Sequence, residues 1–141
     1  MKKIIYSVLA LLIVAVTHQI SAQKIEFKNN MVVIENKPIF SFDKKAMNNE
    51  FYLFKLNSKE ELLILQHQHV GADTGAQDDF KKIIFPNQKV TIESRVLQKK
   101  NWKFLVQLLI DEKVIDTDGN IDIRNLERFS GKYDEKITPK K

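Results

Sequence analysis

Beyond residue 22, the first half of the chain is built from short runs in which apolar and polar positions alternate. Alternation with a period of two puts every second side chain on the same face of a half-buried strand. The predicted strands cover residues 24–28, 31–35, 39–42, 51–56, 62–70, 80–85 and 89–96. Turn-forming residues separate them and no helical stretch intervenes, so the pattern favours an antiparallel meander of about five to seven short strands.

The period of the apolar positions changes to that of a helix after Asn101. In the residues that follow, apolar side chains recur at i, i+3, i+4 and i+7, which marks one face of an amphipathic helix capped by Asn101. A second, shorter helix is predicted to begin after its own cap, Asp122. The sequence therefore predicts an α+β fold in which a C-terminal helical hairpin covers one face of the meander. This single domain spans residues 23–133, and the mostly charged residues 134–141 are expected to form a flexible tail.

Residues 1–22 have the order of segments found in a secretory signal peptide. Two lysines follow Met1, an apolar run covers residues 4–16, and Ser21-Ala22 offers small residues at a cleavage site. The apolar run has about thirteen residues, whereas a helix that crosses a bilayer needs about twenty. We therefore expect a cleaved signal peptide, no transmembrane segment after cleavage, and a secreted or periplasmic location. An uncleaved membrane anchor is the alternative.

The composition narrows the chemistry that this domain can perform. The chain has no cysteine, which excludes disulfide bonds, thiol catalysis and thiolate metal sites. Its formal net charge of +5 falls when the two signal lysines are removed, and the charges are mixed along the chain. Lysines surround Trp102 in the segment 99–103, a combination that single-stranded nucleic acids favour, but Trp102 lies on the apolar stripe of its helix. Because export also removes most such partners, we expect no nucleic-acid partner.

The turn between the two predicted helices has part of the pattern of a calcium-binding EF-hand loop. With Gly119 at position 6 of such a loop, positions 3, 5 and 9 are Asp116, Asp118 and Asp122. The two ends do not fit, because Val114 stands at position 1 and Asn125 at position 12, where carboxylates are expected. The alternative is a tight polar connection in which the glycine permits the turn and Asp122 caps the second helix.

The two histidines of the mature chain, His67 and His69, are a second candidate metal site. Residues two apart on a strand project from one face, and a pair of imidazoles suits zinc or copper. The loop that follows offers Asp73, Asp78 and Asp79 as further oxygen ligands if it folds back onto the strand. The alternative is that residues 66–69 are simply the polar end of a strand that emerges into solvent.

Motifs of known catalytic chemistry are missing, since the sequence contains no GxSxG, P-loop, GxGxxG or HExxH pattern. We therefore expect a non-enzymatic binding or structural protein of the periplasm or cell envelope, without a cofactor, whose partner is a protein or an envelope component. An exposed edge strand, or the strand face with Phe40 and Phe42, is the expected contact surface unless these phenylalanines belong to the core. The alternative function is the binding of Ca²⁺ or Zn²⁺ at the aspartate turn or at the histidine pair.

The stretch from Val114 to Asp122, followed by Leu126 and Phe129, resembles the C-terminal part of small exported bacterial proteins of unknown function. In those proteins a strand-rich first half is followed by a helix, an aspartate-glycine turn and a short closing helix. The resemblance implies the same fold class for most of the mature chain, and it implies no activity.

Overall fold

A computed structural model describes residues 23–71, 73 and 75–140, so the expected signal peptide lies outside the described residues. The strands are β1 (Ile25–Lys28), β2 (Met31–Ile34), β3 (Lys37–Lys45), β4 (Glu50–Lys55), β5 (Glu61–Gln68), β6 (Phe80–Phe85) and β7 (Val90–Ser94). The helices are α1 (Trp102–Asp111) and α2 (Ile123–Tyr133), and a short 3-10 turn, Ala76–Asp78, precedes β6.

All seven strands belong to one antiparallel sheet, in which the spatial order follows the chain order from β1 to β7. Antiparallel neighbours need only a tight turn between them, and most turns here are short. Asn29 and Asn30, for example, join β1 to β2 with φ values of 51° and 59°, a left-handed conformation that asparagine tolerates. The sheet is the predicted meander and the two helices follow it, so the α+β prediction is confirmed.

One face of the sheet forms a single hydrophobic core with both helices. In the centre of this inner face, Phe51 pairs with Leu65, which pairs in turn with Ile83, and all three are fully buried. Leu105 of α1 and Phe129 of α2 are fully buried in the same core. The apolar residues of the strands and those of the helices therefore form one interior. Their burial provides most of the driving force for folding.

The third strand is longer than the alternating pattern indicated. It was expected at 39–42, but the structure extends it over Lys37–Lys45. Pro38, which lies in the gap between the predicted strands 31–35 and 39–42, is paired with Val33, where the register between β2 and β3 shifts. Proline is tolerated at such an irregularity because its missing N–H interrupts no regular ladder hydrogen bond.

Both predicted helix caps are present. The Asn101 side chain accepts a hydrogen bond from the Phe104 backbone N–H at 2.8 Å, and the Asp122 side chain accepts one from the Asn125 N–H at 2.9 Å. Each cap satisfies a backbone donor that the first turn of a helix leaves without a partner. Within the described residues, neither helix combines the length and the apolar character needed to span a bilayer.

The two outer strands of the sheet have hydrogen-bonding partners outside it. Gln107 of α1 accepts from the Ile25 N–H of β1 at 2.8 Å. On the other side, Glu135 donates its N–H to the Glu93 carbonyl of β7, and the Glu93 N–H donates to Asp134. The start of the expected tail therefore lies along β7, and these contacts occupy backbone groups that a partner strand would need.

The aromatic surface considered as a partner site is part of the interior. Phe40 is 0% exposed and Phe42 is 8% exposed, and both belong to the hydrophobic core. The alternative interpretation of these phenylalanines as core residues is confirmed.

Candidate metal centre

A polar corner interrupts the inner face of the sheet where β5 ends and β6 begins. His67 lies directly opposite Lys81 in the β5–β6 ladder. By the alternation of the strands, His67 shares its face with Leu65, and Lys81 shares its face with Ile83. Both polar side chains therefore belong to the row that forms the core, and Lys81 is only 7% exposed.

Three side chains of this corner converge on one point. Asp79, in the turn just before β6, places its Oδ2 atom 3.2 Å from His67 Nε2 and 2.9 Å from His69 Nδ1. The other carboxylate oxygen, Oδ1, accepts a hydrogen bond from the Val70 N–H at 3.0 Å. This backbone contact ties the turn to the end of β5, so that the loop folds back onto the strand as the metal hypothesis required.

The hydrogen bonds define where the protons lie. Lys81 Nζ is 2.8 Å from His67 Nδ1 and 2.7 Å from the Gln98 carbonyl oxygen, and it donates to both. Since Nδ1 of His67 then accepts, its Nε2 carries the proton and donates it to Asp79. The result is a relay of hydrogen bonds from the Lys81 ammonium through a neutral His67 to the Asp79 carboxylate.

The surroundings of these groups shift their pKa values in directions that suit metal binding. Burial and the Lys81 charge lower the pKa of His67, which keeps this imidazole neutral. The hydrogen bond from the Val70 N–H, followed by those from His69 and His67, lowers the pKa of Asp79 although burial opposes the shift. Burial also lowers the pKa of Lys81. A neutral imidazole and a charged carboxylate are the forms that coordinate metals.

The ligand atoms of this cluster are close enough together to be drawn around one small divalent ion. His67, His69 and Asp79 each offer one ligand atom, and all three atoms lie within 4.8 Å of one another. Neighbouring ligands of tetrahedral zinc are about 3.3 Å apart, so the two rings and the carboxylate have to shift before all three atoms surround one ion. Three protein ligands leave the fourth position of a tetrahedron open.

One feature of the second shell is unusual for a metal site. A metal-bound histidine ordinarily donates its other ring N–H to a carboxylate or a carbonyl, whereas here Lys81 occupies that position. Coordination through His67 Nε2 has to displace the proton now shared with Asp79. The corner is therefore a closed hydrogen-bond network, and an ion would have to break part of it in order to bind.

The aspartate turn uses its carboxylates for structure. Asp116 Oδ1 accepts hydrogen bonds from the N–H groups of Asp118 and Asn120, both at 2.9 Å. Asp122 is the cap of α2. These bonds match the interpretation as a tight polar connection, and in the described residues no group of three ligands includes Asp116, Asp118 or Asp122. Calcium binding at this turn stays a prediction.

Sequence reasoning identified the histidine pair but did not single out two of its neighbours. Asp79 was one of three loop aspartates, and nothing in the spacing separates it from Asp73 and Asp78. Lys81 was missed. A signal was present in the sequence, since Lys81 has the same parity along β6 as the buried Ile83. A lysine in phase with core residues indicates a buried cation.

No known protein-family model matches this chain, and comparisons with curated proteins and with solved structures found no match either.

Proposed function

We propose that this protein binds a divalent transition-metal ion, Zn²⁺ in the first place, through His67, His69 and Asp79. The observation that carries the proposal is the convergence of two imidazoles and one buried carboxylate within 4.8 Å. Imidazole nitrogen and carboxylate oxygen together suit Zn²⁺ and Cu²⁺, and the lack of cysteine argues against a site for Cu⁺.

Preorganisation of the ligands supports the same proposal. The side chain of Asp79 is 8% exposed and that of His67 is 17% exposed, and both are held by hydrogen bonds to neighbouring residues. The His69 side chain is 62% exposed, so the ion has access from solvent on that side. Ligands that are already fixed lose little conformational entropy when the ion binds, which favours affinity.

The proposed role is binding and not catalysis, in an exported protein. The expected signal peptide and the absence of recognised catalytic motifs support this part of the proposal. Mass spectrometry of the protein isolated from the periplasm or the medium should find Gln23 at the N-terminus. Intact Met1 on cytosolic molecules would contradict the export proposal and leave the metal site to be judged separately.

Isothermal titration calorimetry with Zn²⁺ tests the metal proposal. We expect one ion per chain, and coordination through His67 Nε2 requires its ring proton to move to Nδ1, where Lys81 now donates. His69→Ala should weaken the affinity at least about tenfold, because it removes one of three ligands while leaving the core intact. Asp79→Asn should do the same, since an amide can still accept from the Val70 N–H but lacks the negative charge.

Asp78→Asn is the matched control, because it makes the same chemical change one residue away from the cluster. It should bind Zn²⁺ as the unmodified protein does. The proposal is wrong if the protein takes up no Zn²⁺, or if the double variant His67→Ala/His69→Ala binds Zn²⁺ as tightly as the unmodified protein.

A further inference from the structure

A pocket of about 270 Å³ opens on the other side of His67, beside the buried Lys81. The lining residues come from the β3–β4 turn, from strands β5 and β6, and from the start of α1; they are Asn48, Asn49, His67, Lys81, Lys100, Asn101 and Trp102. Two of these described lining residues are lysines, three are asparagines and none is acidic. The pocket therefore has a positive charge and many hydrogen-bond donors.

We propose that this pocket binds a small organic carboxylate through the ammonium groups of Lys81 and Lys100. The Lys100 ammonium lies 4.7 Å from the centre of the Phe104 ring in this structure, so its exposed side chain has to turn towards the ligand. The proposal goes beyond the metal site, because it uses a different set of atoms. A volume of about 270 Å³ has room for a small acid of a few carbon atoms together with bound water.

Lys81 is the centre of the proposed site. Only 7% of Lys81 is exposed to solvent, and its hydrogen-bonded connection to the Asp79 carboxylate passes through the His67 ring. Buried charges are normally paired directly, because the loss of hydration is costly. Its ammonium has three donors, of which His67 and the Gln98 carbonyl use two. A carboxylate in the pocket would take the remaining donor and supply the missing negative charge.

The wall of the pocket favours a carboxylate that carries an apolar group. Trp102 lines it, and the Lys81 ammonium lies 4.9 Å from the centre of the Trp102 ring. Asn48 accepts a hydrogen bond from the Trp102 indole N–H at 3.2 Å through its Oδ1, which leaves the amide NH₂ of Asn48 as a donor. An aromatic surface beside cations and amide donors matches a ligand with an anionic end and an apolar end.

The turn that supplies the asparagines is held in an unfavourable conformation. Ala46, Met47 and Asn48 have consecutive φ values of 52°, 54° and 69°. Residues with a Cβ rarely adopt this left-handed conformation, and strain of this kind is found more often at ligand sites than elsewhere. The hydrogen bonds between Asn48 and Trp102 keep the strained turn over the pocket.

The single tryptophan of the chain makes the test direct, because Trp102 lines the pocket and its fluorescence reports on ligand binding there. The purified protein is freed of metal by a chelator, dialysed, and titrated with acetate, propionate or benzoate at constant ionic strength. We expect a saturable change in emission at millimolar concentrations or below. Inorganic phosphate and chloride, titrated in parallel, should bind at least about tenfold more weakly.

Lys100→Gln and Lys99→Gln form a matched pair, because both lysines are exposed neighbours and only Lys100 lines the pocket. Lys100→Gln should weaken carboxylate binding severalfold, and Lys99→Gln should leave it unchanged. Lys81→Met should abolish binding. If that variant fails to fold, the Lys100 pair still decides the question.

His69→Ala separates this site from the metal centre. This variant removes one proposed metal ligand but no residue of the pocket, so carboxylate binding should be unchanged. The inference is overturned if no carboxylate gives a saturable change, if the two lysine variants respond alike, or if phosphate binds more tightly than every carboxylate.

Discussion

Replacement of Gly119 by alanine is the sharpest test of the connection between the two helices. Gly119 has a φ of +88°, and a Cβ at this position would lie 3.3 Å from Leu62 Cδ1 and 3.5 Å from Lys55 Cγ. The left-handed backbone alone costs an L-residue about 1–2 kcal/mol. Leu62 is 4% exposed and belongs to the core, so it has little room to move away. We expect Gly119→Ala to lower the free energy of unfolding by about 1–3 kcal/mol.

Gly131 provides the matched control for this substitution. It lies within α2, and a Cβ there would meet no heavy atom within 4 Å. Gly131→Ala should raise the free energy of unfolding by about 0.5–1 kcal/mol. Both substitutions reduce the entropy of the unfolded chain to a similar extent, so this effect cancels when the two variants are compared.

Urea unfolding followed by Trp102 fluorescence measures both variants. The midpoint of Gly119→Ala should fall and that of Gly131→Ala should rise, with unchanged slopes if the unfolded states are equally expanded. If Gly119→Ala is as stable as the unmodified protein, neither the left-handed turn nor its contact with Leu62 contributes as described.

Three further substitutions test other parts of the structure. Asn101→Ala should destabilise the protein by about 1 kcal/mol in urea unfolding, because the first turn of α1 loses its cap. Phe129→Ala should cost about 3–5 kcal/mol in the same assay, since the ring is fully buried, and no destabilisation would contradict the described core. Burial opposes ionisation of Asp116, but hydrogen bonds from Asn120 and Asp118 lower its pKa below the usual 3.8. The stabilisation that the ionised Asp116 side chain contributes is therefore complete above pH 3.8, and it is lost as the pH falls through the lowered pKa. Stability measured between pH 5 and pH 2 should fall less for Asp116→Asn than for the unmodified protein, and identical profiles would contradict this.

Local patterns in the sequence were sufficient for the elements and for the fold class. Alternation of apolar residues located the strands, because a strand must turn every second side chain towards the core. Asn101 and Asp122 were recognisable as caps, because capping depends on residues only a few positions apart. The extension of β3 across Pro38 was missed, since the shift of register opposite Val33 depends on the neighbouring strand.

The chemistry of the candidate site depends on contacts between distant parts of the chain. The spacing of His67 and His69 was visible in the sequence, but the choice of Asp79 among three loop aspartates came from its hydrogen bond to the Val70 N–H. Likewise, Lys81 meets His67 only because β5 and β6 pair in this register.

The sequence by itself determined a meander followed by two capped helices, since these features arise from the period and the caps of individual segments. Only the tertiary structure decided which charged groups are buried and which of them meet. Burial and electrostatic pairing depend on the register of the strands and on the packing of α1 against the sheet, and neither is encoded within a short segment.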